Sequence, residues 1–159
     1  MNALLVAVAL ISGGTDTLTK ASLNKLNFKA PTSWAVSSDD DASKTWTAPD
    51  DAASMSVSAF PVDPVRPAQA CVNEMLEKLG KDGFEAVKLG GQPAQKKVET
   101  NYLGEADAGQ SDENKVTTTT VIGCNGKVRW VLTWTSKTSL GARFGPMLKR
   151  VLDSVSYGK

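Results

Sequence analysis

The sequence contains no histidine. That removes Ser-His-Asp and Cys-His nucleophile systems, HExxH zinc sites and the usual near-neutral proton shuttle. Two cysteines are too few for a Cys-rich zinc site or a four-cysteine iron–sulfur site. Cationic runs are equally scarce. No Lys/Arg run exceeds two residues, at Lys96-Lys97 and Lys149-Arg150, so no nucleic-acid stripe is present. The longest unbroken apolar run is Ala3 to Ile11. In a helix it would span about 14 Å, short of a bilayer core of about 30 Å. These absences leave carboxylate pairs, Ser-Lys or Tyr as the chemistries open to an enzyme, and make a binding role the stronger reading.

What is present fits one soluble domain. The chain has 159 residues, 41% of them apolar and 22% charged, with a formal net charge of +1. That charge is unevenly placed: residues 1–80 hold 6 basic and 9 acidic side chains, and residues 81–159 hold 12 and 8. The apolar run at 3–11, followed by Ser12, Gly13 and Gly14, resembles the centre of a secretory signal, although no Lys or Arg precedes it. A buried strand is the other reading. We therefore expect a signal peptide at 1–14, a linker or short helical arm at 15–25, and a single domain over 26–159. Cys71 and Cys124 form an even pair in a chain expected to be exported, which predicts a disulfide. Two buried free thiols are the alternative.

Periodicity sets the expected elements. Lys44–Thr47 reads as a short strand, and Met55, Val57 and Ala59 alternate with serines over 54–60. Residues 67–80 have helical spacing, with Ala68, Val72, Met75, Leu76 and Leu79 in one stripe, Cys71 beside it and Pro67 at the start. Phe84–Leu89 and Ala94–Tyr102 read as strands about Gly90-Gly91-Gln92-Pro93. Val116–Cys124 and Lys127–Thr135 flank Asn125-Gly126, a strong hairpin signal. A two-residue turn there would put Cys124 opposite Lys127 and Val121 opposite Trp130. Phe144, Met147, Leu148, Val151, Leu152 and Val155 mark a closing helix, with Pro146 in its first turn. The expected fold is α+β, a central antiparallel sheet of about six strands flanked by helices on both faces.

No motif carries catalysis. The acidic clusters Asp39–Asp41 and Asp50-Asp51 sit in turn-like sequence, where solvated aspartates are the ordinary outcome. Glu105, Asp107, Asp112 and Glu113 lack EF-hand spacing. Gly90-Gly91-Gln92-Pro93 matches neither phosphate-loop pattern. We expect no catalytic residue, metal or cofactor. Trp34 and Trp46 lie near loop ends and are the candidate partner-binding residues, since Trp is enriched at binding hot spots. Core packing is the competing reading for both.

Several stretches together resemble the PsbP-like fold, shared by the photosystem II oxygen-evolving subunit P, a eukaryotic Ran-binding nuclear-import factor and bacterial DcrB-like exported proteins. They are Phe28-Lys29-Ala30-Pro31-Thr32-Ser33-Trp34, the helix at 67–80, Gly91-Gln92-Pro93-Ala94, and Gly126 to Thr135 followed by Phe144 to Val155. The resemblance covers about residues 26–157. It implies a central antiparallel sheet between helices and non-enzymatic binding or assembly roles, and it carries over no cofactor site. The resulting expectation is an exported, periplasmic or secreted, non-enzymatic binding or assembly-accessory protein. It would offer a sheet edge, or the Trp34/Trp46 region, to another protein, with no nucleic acid and no stable membrane span in the mature chain. A cytoplasmic chaperone for secreted effectors with the same fold, and a small carboxylate-dependent hydrolase, are the alternatives.

Overall fold

The computed structural model describes residues 17–104 and 111–159; the expected signal peptide at 1–14 lies outside them. The described residues form ten strands and two α-helices in the order β1 (Leu18–Leu23), β2 (Leu26–Pro31), β3 (Ala35–Asp40), β4 (Ser43–Thr47), β5 (Ala53–Pro61), α1 (Ala68–Leu79), β6 (Glu85–Leu89), β7 (Gln92–Tyr102), β8 (Lys115–Cys124), β9 (Val128–Lys137), α2 (Gly141–Asp153) and β10 (Ser156–Tyr157). The fold is α+β. Instead of one sheet of about six strands there are two: a seven-stranded sheet of order β3-β4-β5-β9-β8-β7-β6 and a three-stranded sheet of order β1-β2-β10. Every ladder is antiparallel. No described helix is long and apolar enough to cross a membrane.

The small sheet overturns the expected linker at 15–25. Leu18–Leu23 pairs with β2 along its whole length. Its polar sequence concealed this, because only Leu23 is buried, while Lys20 and Ser22 face water. The β1–β2 connection is a two-residue turn, Asn24-Lys25, with both φ values positive at 45° and 69°. Asn tolerates that region, and here its side-chain amide donates to the Ala59 carbonyl at 2.6 Å, tying the turn to β5.

Alternation along the central strands divides the core. Met55, Val57 and Ala59 of β5, Val121 of β8, and Trp130, Leu132 and Trp134 of β9 pack with Phe144, Met147, Leu148, Val151 and Leu152 of α2. Leu26 and Phe28 of the small sheet join the same cluster. Each Val, Leu, Met or Phe side chain among these contributes about 1.5–3 kcal/mol when fully buried. The neighbouring positions Ile122 and Cys124 of β8, with Val131 of β9 beside them, pack instead with Cys71, Val72, Met75 and Leu76 of α1. The serines of β5 pair with hydroxyls of β4: Ser58 with Ser43 and Ser56 with Thr45, each at 2.8 Å. These pairs give the outward serines of the alternation a structural role.

Three local expectations change. The Asn125-Gly126 connection is wider than two residues, so Cys124 stands opposite Arg129 and Val121 opposite Leu132. Asn125 does not take the left-handed conformation; its side-chain carbonyl oxygen accepts from the Lys127 and Val128 amides at 2.9 and 2.8 Å. The Lys127 carbonyl is thereby free to accept from Val62 at 2.8 Å. The register moves by two residues, an even number, so every side chain keeps its expected face. Leu79 is exposed at the end of α1 instead of completing its apolar stripe. α2 starts at Gly141, placing Pro146 inside the helix and not in its first turn, at the cost of one intrahelical hydrogen bond.

Candidate functional site

The residues singled out from sequence fall in different places. Trp34 and Trp46 are both core residues, about 5% exposed or less. Trp34 packs against Trp134 at 5.1 Å and Phe144 at 6.0 Å between ring centroids. Trp46 meets Phe28 edge-on at 5.6 Å. Neither presents a surface to a partner, which corrects the expectation that they line a binding region. Their nearness to loop ends misled, because the partners that bury them, Trp134 and Phe144 for Trp34 and Phe28 for Trp46, are distant in sequence.

Cys71 of α1 and Cys124 at the end of β8 are joined by a disulfide, Cα to Cα 6.1 Å. Both cysteines are buried, and the bond pins α1 to the sheet. Among the described residues the acidic clusters do not converge. Asp50 caps its own turn by accepting from the Ala52 amide and pairs with Arg143 at 3.2 Å. Slight burial pushes its carboxyl up, but the backbone amides and Arg143 outweigh this and hold it below the usual range. Asp40 accepts from the Ala42 amide at 2.7 Å. Glu105 and Asp107 lie outside the described residues. Among the described residues no three His, Cys, Asp or Glu side chains come together to hold a metal.

The sheet edges show more. At one end, β3 is interrupted by a register shift between Ser38 and Asp40, a bulge of the kind that blunts an edge. The other end is stepped. β6 has five residues and pairs only with Gln92–Lys96 of β7. From Lys97 to Tyr102, β7 pairs with β8 alone among the described residues, in unbroken register.

The turn at Gly90-Gly91 fixes which groups are left over. Both residues have positive φ, 57° and 74°, and join Leu89 to Gln92 directly across the ladder. Such a two-residue turn closes on a hydrogen-bonded pair. Backbone direction alternates from there, so Gln92, Ala94 and Lys96 face β6. By the same alternation Val98, Thr100 and Tyr102 direct their N–H and C=O groups to the open side. Gly90 has a second constraint, since a Cβ there would lie 2.9 Å from the Val155 carbonyl oxygen.

The open stretch also carries exposed apolar side chains among its polar ones. Of the seven large hydrophobic side chains exposed among the described residues, Val98, Tyr102 and Leu103 fall within six positions. Lys97 is held by Glu99 at 2.9 Å and lies over the Phe84 ring, and Lys115 lies over Tyr102. Beside the step, on the face that carries α2, is a cleft of about 390 Å³ lined by Val87 and Leu89 of β6, Val121 of β8, and Leu148 and Leu152 of α2. Lys88, Lys96, Lys149 and Asp153 also line it. A larger open cleft, about 500 Å³, lies on the small sheet among exposed polar side chains such as Lys20, Lys29 and Ser22.

The stepped edge was not visible in sequence, since it depends on the unequal lengths of β6 and β7. The nearest signal was the interval from Gly90-Gly91 to the polar loop after Tyr102, longer than the strand before it.

No protein-family model matches the sequence, and no curated protein matches it either. Solved structures do match in shape. A crystal structure from Bacteroides thetaiotaomicron aligns over 87% of this chain with TM-score 0.65 and 17% identity. The chain spans 47% of that protein's length. Cyanobacterial PsbP from Synechocystis aligns over 90% of this chain and 94% of its own, with TM-score 0.60 and 10% identity. The Ran-binding protein Mog1p of Saccharomyces cerevisiae aligns over 89% and 95%, with TM-score 0.50 and 12% identity. The chain therefore has a PsbP-like fold, as the sequence resemblance implied.

Proposed function

We propose that this chain, with its PsbP-like fold, is a non-enzymatic binding or assembly-accessory protein that receives an extended segment of a partner protein along the free half of β7. The observation that carries the reading is the six-residue stretch Lys97–Tyr102, paired on one side only among the described residues, with Val98 and Tyr102 exposed in it and Leu103 exposed just beyond. An edge whose outward N–H and C=O groups are unpaired accepts a strand through main-chain hydrogen bonds, with side-chain contacts supplying specificity. Similarity in fold to a Ran-binding protein adds support, since that neighbour binds another protein.

The same reading places the protein in an oxidising compartment, periplasmic or secreted, after removal of the apolar N-terminal segment. The Cys71–Cys124 bond supports this. We also take α1 and α2 to cover opposite faces of the large sheet, supported by the alternation that sends Ile122 to one cluster and Val121 to the other.

The test is site-specific photo-crosslinking in the native cell. A photoreactive residue at Val98 should give a discrete protein adduct, absent when the residue is placed at Ser56, and lost from the Val98 position on adding Thr100→Pro. Adducts of equal yield from Val98 and Ser56 would refute an edge-specific site. Intact mass of the native protein tests the compartment. An unprocessed N-terminus with two free thiols would refute export and favour the cytoplasmic chaperone.

A further inference from the structure

The outer face of the small sheet carries an arrangement that strand addition at β7 does not use. The register places two rows of side chains on that face. Ser22 of β1, Asn27 of β2 and Ser156 of β10 stand side by side across the three strands, and Lys20 stands directly opposite Lys29 two residues further along. Neighbouring strands lie about 4.8 Å apart, and positions two apart along a strand lie about 7 Å apart. Ser154, just before β10, fixes the lysine row to α2. Its hydroxyl accepts from the Lys29 amide at 2.8 Å and donates to the Val151 carbonyl at 2.6 Å. These six residues line the cleft of about 500 Å³ on this sheet, and no Asp or Glu lines it.

The Lys20–Lys29 pair works against folding. Like charges directly opposite each other on a sheet are destabilising, and neither ammonium is in an ion pair among the described residues. Asp153, next to Ser154 in sequence, is taken up by Lys149. The side chains of Ser22, Asn27 and Ser156 likewise make no hydrogen bond among the described residues. Two cations and three uncommitted polar side chains therefore share one patch with no carboxylate to answer them. A phosphomonoester answers both needs, with a charge of about −1.5 to −2 at neutral pH and three strong acceptor oxygens. A carboxylate would balance only one of the two charges.

We propose that the outer face of the small sheet binds a phosphomonoester group, seated between the Lys20/Lys29 row and the Ser22–Asn27–Ser156 row. The cleft is larger than the phosphate itself, which leaves room for the body that carries it. The same group occurs on small soluble esters and on the head of phosphatidic acid. The inference is independent of the edge-binding reading above.

The test uses the full chain with its disulfide intact and glycerol 3-phosphate as the probe. At low ionic strength the probe should raise the melting temperature in a saturable way and shift the amide resonances of β1, β2 and β10. Glycerol, or sodium chloride at equal ionic strength, should not reproduce these effects. Lys20→Gln/Lys29→Gln should weaken binding about tenfold, as expected when two partly exposed charge pairs are lost. Lys20→Arg/Lys29→Arg should bind within about twofold of wild type. Without probe, Lys20→Gln alone should melt no lower than wild type, because it relieves the like-charge pair; a lower melting temperature would show that the two lysines do not oppose each other as described. Phosphatidylcholine vesicles carrying either phosphatidic acid or phosphatidylglycerol identify the source. Binding of the soluble ester supports a small-molecule site, and selective binding of phosphatidic acid vesicles alone supports a lipid-head site. A probe response that chloride reproduces, with equal binding to the two anionic vesicles or to neither, would overturn the proposal, and so would binding unchanged in Lys20→Gln/Lys29→Gln.

Discussion

Gly123→Ala is the sharpest test of how the centre of the molecule is packed. Gly123 of β8 stands opposite Trp130 of β9. A Cβ at this position would lie 2.5 Å from Cε2 and Cζ2 of the indole and 2.7 Å from its Nε1. Carbon atoms settle at about 3.5–4.0 Å, so the overlap is about 1 Å. The indole has nowhere to go. It is fully buried, Ala59 of β5 stands opposite it on the other side, and its Nε1 donates to the Tyr157 hydroxyl at 2.7 Å. Overpacking of this kind costs about 1–3 kcal/mol, and loss of the hydrogen bond adds about 1 kcal/mol. A total of about 2–4 kcal/mol lowers the melting temperature by about 5–15 °C for a domain of this size. Differential scanning calorimetry reads the shift, and Trp fluorescence reports displacement of the indole. Tyr157→Phe alone should cost about 1 kcal/mol, and its cost should shrink when combined with Gly123→Ala, because the two share one indole. A Gly123→Ala protein within 0.5 kcal/mol of wild type would show that Trp130 does not lie over β8 as described.

Other consequences are as direct. Replacing both cysteines, Cys71→Ala/Cys124→Ala, should destabilise the protein by about 4 kcal/mol on the chain-entropy relation for a 53-residue separation, measured by urea unfolding without reductant; a loss under 1 kcal/mol would mean the bond restrains little. Thr100→Pro and Glu99→Pro should differ sharply although they are neighbours. The first removes a donor facing the open edge, and the second removes one bonded to β8, so Glu99→Pro should be the more damaging by at least about 1 kcal/mol; equal losses would contradict the alternation. Tyr157 gives a signed pH effect. Burial pushes its phenol above the usual 10.0, a rise that the Trp130 hydrogen bond only partly offsets. A group with a raised folded-state pKa contributes stability fully present below its unfolded value and lost as pH rises from there through the folded value. Stability should therefore fall above about pH 10, and Tyr157→Phe should remove that part of the slope; an unchanged alkaline slope in the variant would contradict it.

The parts of this fold that could be read from sequence are those with strong local periodicity. The apolar positions of β5, α1 and α2 are the buried ones with few exceptions, and the two cysteines are joined. What escaped had weak or misleading local signals. β1 is polar because one face of a three-stranded sheet is open to water, and its turn, Asn24-Lys25, reaches positive φ without glycine. Asn125-Gly126 carries the stronger turn signal, yet adopts a wider connection because the segment before α1 hydrogen-bonds to it. Trp34 and Trp46 look peripheral in sequence and are central in space, because Trp34 packs on Trp134 and Phe144 from the far end of the chain and Trp46 on Phe28 of the N-terminal hairpin. The stepped edge was legible least of all. A free edge is a difference between two strand lengths, and no single residue of β7 announces it.

Amide hydrogen exchange along β7 tests the central claim most directly, because it needs no partner. In the free protein the amides of Val98, Thr100 and Tyr102 should exchange rapidly, whereas those of Lys97, Glu99 and Asn101 should be protected by the β8 ladder, giving an alternating pattern over six residues. Addition of a peptide copied from the segment crosslinked at Val98 should slow the first set and leave the second unchanged. Uniform protection of all six amides in the free chain would show that the edge is already covered, and would contradict the proposal that a partner strand binds there.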